Sequence, residues 1–332
     1  MTLTLPRPDD WHVHLRQGEA TAAYARAHSR GFGRVLAMPN TLPPLTAPRD
    51  IEAYRKTAMD AAPGLEVEAA FRLMPGMGEA DVAALAAAGV PAGKYYPDGA
   101  TTNSAGGIGH WRQIEAALAA MEEHDLILAV HGEDPEAPVM EREERFLSAF
   151  AEIRAAFPRL RMILEHVSSA AGVRAVREDA GPTAATVTVQ HLCYTLDDLL
   201  GGMLDPHLFC KPVVKFGSDR AAIQDRVLAG DERFFFGSDS APHPRVRKES
   251  PGAPAGSYAA PMALQAVVSW LDGRDALERA EPFLCAFGRT FYRREPNPGT
   301  VTLERRPWTV PEESEGCVPL MAGRQLPWRL AD

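Results

Sequence analysis

The sequence predicts one (β/α)8 TIM-barrel domain over residues 1–332, in which eight parallel strands alternate with helices. Short apolar runs alternate with longer alanine-rich segments whose apolar residues recur every three or four positions, and no compositional break divides the chain. The length of 332 residues would also suit two domains, but barrels of this class reach that size as one domain. An open doubly wound sheet is the alternative, and no Gly-x-Gly-x-x-Gly follows the first strand to favour it.

Eight short apolar runs are the predicted barrel strands. They are residues 11–15, 34–38, 65–73, 92–96, 126–131, 161–166, 184–190 and 233–238. Helical periodicity lies between strands at 47–61, 79–88, 110–124, 140–157, 169–178 and 218–229. Two further helices, 258–272 and 275–292, precede a proline-rich polar tail, which we expect to wrap around the barrel as an extended segment.

The composition narrows the class of protein. A hydrophobic fraction of 45% and a charged fraction of 24% are typical of a soluble globular protein, and the net charge of -9 argues against nucleic acid as a partner. No apolar run approaches the length of a membrane span, and the chain lacks the basic-then-apolar start of a signal peptide. The cysteines have no CxxC spacing and are expected to be reduced thiols of a cytoplasmic protein; they are Cys193, Cys210, Cys285 and Cys317.

Potential metal ligands stand at the carboxyl ends of the predicted strands, which is where such barrels place their chemistry. His12 and His14 point to the same side of an extended strand, so their imidazoles can share one cation. The full set is His12, His14, Lys94, His131, His166 and Asp239, and Asn40 and Gln190–His191 end two further strands. Any one of these residues alone is more typical of a hydrogen-bonded core or surface position, but six at equivalent positions predict a metal site.

Lys94 fits such a site only if its charge changes, because an ammonium repels cations. A desolvated lysine loses its proton readily, and the neutral amine can add carbon dioxide to form a carbamate. The two carbamate oxygens can each bind one metal, which predicts a binuclear centre with ions about 3.5 to 4 Å apart and a hydroxide between them. A structural lysine that caps a strand end remains the alternative.

Several motifs together identify a family. The chain resembles the shorter, bacterial-type dihydroorotases of the amidohydrolase superfamily over nearly its whole length. The motifs are Arg7-Pro-Asp-Asp-Trp-His-Val-His-Leu-Arg16, Met38-Pro-Asn40, Lys94-Tyr-Tyr-Pro97 with Ala100-Thr-Thr-Asn-Ser104, Val130-His-Gly-Glu133, Glu165-His-Val167 and Gly237-Ser-Asp-Ser-Ala-Pro-His243. The His-Leu-Arg continuation and the Asp-Ser-Ala-Pro-His run distinguish this type from hydantoinases and deaminases.

The resemblance implies a reaction and a division of the ligands. It implies reversible hydrolysis of the cyclic amide dihydroorotate to carbamoyl aspartate, the third step of de novo pyrimidine biosynthesis. The more buried of two zinc ions would bind His12, His14, carbamylated Lys94 and Asp239, and the second would bind Lys94, His131 and His166. A bridging hydroxide would attack the carbonyl while Asp239 acts as general base and then general acid. Cobalt or manganese could use the same nitrogen and oxygen ligands.

The substrate carboxylate requires a cationic partner near the metals. Arg16, two residues beyond His14 on the same strand face, can offer a bidentate guanidinium, although a surface salt bridge is the alternative role. The resemblance implies that Asn40, His243 and backbone groups of Ala255 complete this pocket.

A loop rich in small residues is expected to close over the pocket. The run 98–107 suits a mobile lid, and the resemblance implies that Thr101 and Thr102 reach the substrate, whereas a plain flexible loop is the alternative. Lys211 is a departure, since related proteins have an apolar residue there, and we expect its substrate contact to be mainly through backbone.

Two other functions are compatible with parts of this pattern. A different cyclic-amide hydrolase, such as a hydantoinase or allantoinase, would share the metal site but not the carboxylate pocket. A non-catalytic dihydroorotase-like scaffold for a transcarbamoylase would be expected to have lost ligands, whereas this chain keeps the full set. The resemblance also implies a homodimer, and we expect the partner in the site to be a small molecule, with neither nucleic acid nor membrane involved.

Overall fold

The computed structural model describes residues 1–104 and 106–331. Its strands are β1 (Thr2–Pro6), β2 (Asp9–Val13), β3 (Arg34–Ala37), β4 (Glu66–Ala69), β5 (Phe71–Arg72), β6 (Ala92–Tyr95), β7 (Ile127–Val130), β8 (Arg161–Leu164), β9 (Thr183–Val187), β10 (Phe234–Phe236), β11 (Thr300–Glu304), β12 (Trp308–Thr309), β13 (Gln325–Leu326) and β14 (Arg329–Leu330).

Helices follow most of the barrel strands. They are α1 (Glu19–Ser29), α2 (Pro48–Ala61), α3 (Glu79–Ala87), α4 (Glu115–Glu123), α5 (Arg142–Ala156), α6 (Ala170–Glu178), α7 (Val189–Cys193), α8 (Leu196–Leu200), α9 (Gly217–Ala229), α10 (Arg245–Lys248), α11 (Ala263–Asp272) and α12 (Phe287–Tyr292). Short 3-10 turns occupy Trp111–Ile114 and Leu277–Arg279, and a π-helical turn occupies Pro282–Ala286. In the described part of the chain, no helix is both long and apolar enough to cross a membrane.

The parallel strands form the predicted barrel of eight. Strands β2, β3 and β4 pair in one sheet and β5 to β10 in another, and β4 and β5 are two parts of one predicted strand interrupted at Ala70. The Ala70 N–H still donates to the Ala37 carbonyl at 3.0 Å, which keeps the sheets continuous. The ring closes where the Asp239 N–H donates to the His12 carbonyl at 2.9 Å and the His14 N–H donates to the Ser240 carbonyl at 2.9 Å.

The interior of the barrel changes from apolar to polar along the strands. Its apolar layer comprises Trp11, Leu36, Met38, Ala70, Ala92, Ile127, Ile163, Ala184, Phe235 and Tyr292. Alternate residues of a strand face the same side. Lys94 therefore faces the barrel interior as Ala92 does, and Asp239, four residues after Phe235, faces inward nearer the carboxyl end. The two-residue alternation of the strands therefore directs these polar side chains to the mouth of the barrel. The apolar layer fills the interior beneath them.

Aromatic packing seals the opposite end of the barrel. The rings of Trp11 and Tyr292 stack with centroids 4.1 Å apart and an interplanar angle of 4°. Tyr292 ends α12, so the predicted C-terminal helical segment contributes directly to the barrel core. This packing buries apolar surface beneath the polar mouth and so stabilises the barrel.

The two ends of the chain form a small antiparallel sheet. Strand β1 pairs with β11, which pairs with β14, and β12 pairs with β13. The prediction of an extended tail was therefore incomplete, because this tail contains four short strands. The sequence analysis also missed β1 and α1, whose residues precede and follow the first barrel strand.

Several predicted boundaries differ from the structure, and three of these differences bear on the site or on the C-terminal helices. The predicted strand 184–190 ends at Val187, and Gln190–His191 lie in α7 because the Thr188 hydroxyl accepts the His191 N–H and caps this helix. The predicted helix 258–272 begins only at Ala263. The predicted helix 275–292 is divided into a 3-10 turn, a π-helical turn and α12.

Candidate metal centre and active site

Three buried side chains converge at the point where the barrel closes. Asp239 Oδ1 lies 3.4 Å from His12 Nε2 and 3.1 Å from His14 Nε2. Ligand atoms of these three residues all lie within 4.8 Å of one another, a spacing suited to one shared cation. Two imidazole nitrogens and a carboxylate oxygen are ligands that zinc, cobalt and manganese accept.

The other nitrogen of each imidazole is held by a neighbour. His12 Nδ1 lies 2.7 Å from Glu165 Oε2, and His14 Nδ1 lies 2.7 Å from Asn40 Oδ1. Because carboxylate and amide oxygens only accept, Nδ1 carries a proton in each ring, and the Nε2 atoms that face Asp239 are the ones able to bind a cation once deprotonated. Glu165 stands in one of the motifs quoted above, but no role was predicted for it. Its position directly before the proposed ligand His166 is the sequence feature that could have indicated one.

His131 and His166 form a second pair beside the first cluster. His131 Nδ1 faces His166 Nε2 at 3.1 Å, and His131 Nε2 lies 2.8 Å from Glu133 Oε2. The His12 and His166 rings are 5.1 Å apart between centroids, so the two clusters adjoin. Burial lowers the pKa of His166 well below its usual value, and nearby positive charges act in the same direction. Burial lowers the pKa of His131 as well, so the neutral form of both rings is favoured and each has a lone pair for a cation.

Lys94 lies in the wall between these clusters. Its side chain is fully buried, and its Nζ has no hydrogen-bond partner among the described residues. Burial lowers the pKa of Lys94 to about 8, while the negative charges of Glu165 and Asp239 oppose that shift. An uncompensated buried ammonium is costly, so the chemistry of this position fits an amine that becomes an anion better than a permanent cation.

Asp239 is charged in spite of its burial. Burial raises the pKa of this carboxyl group, but the His14 hydrogen bond and the charges of His12, His14 and Lys94 outweigh it and hold the pKa at about 2. The residue also has a φ of 45°, in the left-handed region that is uncommon for residues other than glycine. The closing hydrogen bond to the His12 carbonyl holds this conformation and aims the carboxylate inward.

Arg16 approaches the cluster from a turn. The strand ends at Val13, and Arg16 has a φ of 58°, so the prediction that it lies on the same strand face as His14 was wrong. Its Nε donates to the Pro242 carbonyl at 2.9 Å, and one terminal nitrogen lies 3.0 Å from His243 Nε2. Since a guanidinium has five N–H donors, at least three remain to bind an anion.

A loop covers the same cavity. Thr102 Oγ1 lies 3.5 Å from the Ala255 carbonyl, and Asn40 Nδ2 lies 3.4 Å from the Thr102 carbonyl. The Lys211 ammonium donates to the Ala100 carbonyl at 2.9 Å, so its side chain contacts the loop directly. This side-chain contact adds to the backbone role that the sequence analysis expected for Lys211.

Most of the predicted site residues line one cavity. Its lining comprises His12, His14, Arg16, Asn40, Tyr96, Thr101, Thr102, His131, His166, Lys211, Asp239, Ala241, Ala255 and Gly256. Of the predicted residues, Lys94 and His243 are absent from this lining: Lys94 is buried in the wall, and His243 Nε2 lies against the Ala255 carbonyl at 3.1 Å. Tyr96, Ala241 and Gly256 were not predicted as site residues, although Tyr96 and Ala241 stood in quoted motifs.

Comparison with known proteins gives a consistent result. No protein-family model matches the chain. A curated relative from Alcanivorax borkumensis named dihydroorotase is 42% identical over 341 residues, covering 99% of this chain and 99% of the relative. The crystal structure of Saccharomyces cerevisiae dihydroorotase in complex with 5-fluoroorotic acid matches with a TM-score of 0.94 and 30% identity, covering 99% of this chain and 98% of that one.

A more distant structure is similar in fold only. The L-hydantoinase from Arthrobacter aurescens matches with a TM-score of 0.83 at 17% identity, covering 99% of this chain and 83% of that one. The identity to dihydroorotases is higher and extends over nearly the full length of both chains. The chain belongs to the dihydroorotase family.

Proposed function

We propose that this protein is a dihydroorotase, which catalyses the reversible hydrolysis of (S)-dihydroorotate to N-carbamoyl-L-aspartate in pyrimidine biosynthesis. The observation that carries the proposal is that one cavity contains both a set of cation ligands and the guanidinium of Arg16. A cyclic amide that bears a carboxylate requires both. The full-length relatives named dihydroorotase support the same conclusion.

We further propose that the site holds two divalent cations, with zinc as the resident metal and cobalt or manganese as substitutes. His12, His14, Lys94 and Asp239 would hold one, and Lys94, His131 and His166 the other. The orphaned Nζ of Lys94 and the facing nitrogens of His131 and His166 support this assignment. Lys94 serves both ions only as a carbamate, because a neutral amine has one lone pair.

The cations would act as Lewis acids on the amide carbonyl and lower the pKa of the attacking water. Asp239, which is ionised, accepts the proton that this water loses. The same carboxylic acid then donates that proton to the ring nitrogen as the carbon–nitrogen bond breaks. In the biosynthetic direction Asp239 accepts the proton from the attacking carbamoyl nitrogen and donates it to the departing hydroxide, which leaves as water as the ring closes.

The substrate carboxylate would bind beside the cation ligands, at the guanidinium of Arg16. Arg16 offers its three remaining N–H donors, and Asn40, His243 and the backbone at Ala255 complete the pocket. Thr101 and Thr102 would contact the substrate from the covering loop and exclude water from the reaction. Lys211 would hold this loop through the Ala100 carbonyl.

The remaining proposals concern the whole molecule. We propose one domain over residues 1–332, a cytoplasmic location and a homodimeric state. The barrel closure between the first and last barrel strands supports the single domain, because it ties distant parts of the chain together. Light scattering of the purified protein tests the dimer, and limited proteolysis tests the single domain.

The decisive experiment compares substrates. Zinc-loaded protein is expected to interconvert dihydroorotate and carbamoyl aspartate and to leave hydantoin and allantoin unchanged, because neither has the carboxylate that Arg16 would bind. Activity on hydantoin or allantoin alone would favour a different cyclic-amide hydrolase. Protein that binds two metals per chain but hydrolyses none of the three would contradict the proposal, and protein that neither binds metal nor hydrolyses them would revive the scaffold alternative.

A further inference from the structure

Lys248 is a buried lysine with an unusual set of partners. It ends α10, and only 3% of its surface is exposed. Its Nζ donates to the carbonyls of Phe209 at 3.0 Å, Pro254 at 3.1 Å and Gly256 at 2.8 Å. No carboxylate of the described residues lies within ion-pair distance of it. The ammonium is thus held by three backbone carbonyls, and it also lies 5.6 Å from the centroid of the Phe209 ring.

This arrangement uses the whole hydrogen-bonding capacity of an ammonium group. An ammonium has three hydrogens and no acceptor, and three carbonyls accept them, whereas a neutral amine would leave one carbonyl without a donor. Burial lowers the pKa of Lys248 to about 8, which still leaves the charged form predominant at neutral pH. Burying a charge without a counter-ion is costly, so a purely space-filling role would be served better by an apolar side chain.

The three carbonyls belong to two segments that both line the active-site cavity. Phe209 precedes Lys211 by two residues, and Pro254 and Gly256 flank Ala255. The Gly256 N–H also donates to the Phe209 carbonyl at 2.9 Å, so the two segments are joined directly as well as through the ammonium. Lys248 therefore fixes the backbone on both sides of Ala255.

The fixed backbone faces the positively charged side of the cavity. The Ala255 carbonyl accepts from the Thr102 hydroxyl at 3.5 Å and lies 3.1 Å from His243 Nε2, and His243 in turn lies 3.0 Å from Arg16. Among the described residues, the Ala255 N–H donates no hydrogen bond. That N–H is thus available to an anion next to the guanidinium.

We propose that Lys248 is a positioning residue for the carboxylate of the substrate: by joining segments 209–211 and 254–256 it holds the Ala255 N–H and His243 at the distance from Arg16 that a carboxylate spans. This inference rests on the proposed function, since it concerns binding of a carboxylate-bearing cyclic amide. Lys248 lies outside the cavity lining and acts only through the backbone that it holds.

The proposal predicts a specific kinetic effect. A carboxylate is bound equally in the ground state and in the transition state, because it is remote from the amide that reacts. Loss of its pocket therefore raises KM and leaves kcat nearly unchanged. A general loss of structure would instead lower kcat and metal content together.

The test uses Lys248→Met in the zinc-loaded enzyme, with Lys56→Met as the matched control. Lys56 is an exposed lysine that pairs with Asp60 on α2, far from the cavity lining. We expect Lys248→Met to raise KM for dihydroorotate at least ten-fold and to weaken binding of 5-fluoroorotic acid by a similar factor. We expect kcat to stay within three-fold and the metal content to stay unchanged, and the control to match the wild type in all four quantities.

Lys248→Arg provides a second variant if the methionine variant does not fold. A planar guanidinium cannot direct its hydrogens at three carbonyls placed around one nitrogen, so KM should still rise several-fold at constant kcat. Wild-type KM in a folded Lys248 variant, or a fall in kcat that parallels loss of metal, would overturn the proposal. If the wild-type enzyme itself neither binds 5-fluoroorotic acid nor hydrolyses dihydroorotate, the proposed function fails and this inference with it.

Discussion

Replacing Glu165 by glutamine is expected to weaken binding of the cation at His12 without disturbing the fold. Glu165 Oε2 lies 2.7 Å from His12 Nδ1 and accepts the Thr186 hydroxyl at 2.6 Å. Glutamine has nearly the same shape and keeps an oxygen acceptor. The variant therefore preserves the geometry and removes only the negative charge.

The size of the effect follows from these contacts. A hydrogen bond to a charged group contributes about 1.5–3 kcal/mol and one between neutral groups about 0.5–1.5 kcal/mol, so the lost charge costs roughly 1–1.5 kcal/mol. Since each 1.4 kcal/mol is about a factor of ten in affinity, this loss alone weakens metal binding about ten-fold. Glu165 is also fully buried, so its negative charge is weakly screened and favours the nearby cation, which moves the expected effect towards about 100-fold.

The assay is a competition titration of metal-free protein with Zn²⁺ or Co²⁺ against a chelating indicator. Glu152→Gln is the matched control, because Glu152 also accepts a ring N–H, that of Trp111 at 2.9 Å, but outside the site. Wild-type metal affinity in Glu165→Gln would refute the argument that this carboxylate orients His12 and supports the cation. Equal weakening in both glutamine variants would refute it as well, because the effect would then be unspecific.

Three further predictions concern the proposed ligand lysine, the barrel core and the response to acid. Lys94→Ala should lose dihydroorotate hydrolysis and the proposed second metal, and added short carboxylic acids should restore part of both; full activity without acid would contradict a bridging carbamate. A Cβ added to Gly288 would lie 2.2 Å from Trp11 Nε1, so Gly288→Ala should lower the free energy of unfolding by about 1–3 kcal/mol in urea denaturation, whereas Gly217→Ala, with no atom within 4 Å, should not lower it. Burial lowers the pKa of His28 from its usual 6.5 to about 4. Between these two pH values the unfolded chain binds a proton at His28 and the folded chain does not. The free energy of unfolding therefore falls as the pH falls. Between pH 7 and 5.5 this residue should lower the free energy of unfolding by about 1 kcal/mol. The urea midpoint should therefore fall less in His28→Leu than in the wild type over this range. An equal fall in both proteins would contradict the prediction.

The barrel and the convergence of its polar residues could be predicted because both follow from local periodicity. A short apolar run predicts a parallel strand. The first polar residue that follows it at an inward-facing position marks the carboxyl end of that strand. Lys94, His131 and Asp239 are such residues, and the structure places them together at one end of the barrel. The phase of each strand is therefore sufficient to predict which side chains meet.

The exceptions depend on specific contacts that periodicity does not reveal. Arg16 reaches the cavity through a left-handed turn, which is held by its bond to the Pro242 carbonyl more than 200 residues away. The end of β9 depends on a local cap at Thr188 that competes with strand continuation. Lys248 has no role that its neighbours in sequence reveal, since Phe209 approaches it only in the folded chain. Periodicity contains no information about such partners.

The polar mouth of the barrel is a region of low intrinsic stability that the rest of the fold must offset. Lys94 Nζ and one polar atom each of Glu133, Glu165 and His166 are buried there without a hydrogen-bond partner among the described residues. Each such atom costs about 1–3 kcal/mol, so the four together oppose folding by several kcal/mol. Close packing of the apolar layer beneath them counteracts this cost. Because these orphaned atoms surround the proposed ligands, their arrangement is explained by the chemistry of the site and not by the stability of the barrel.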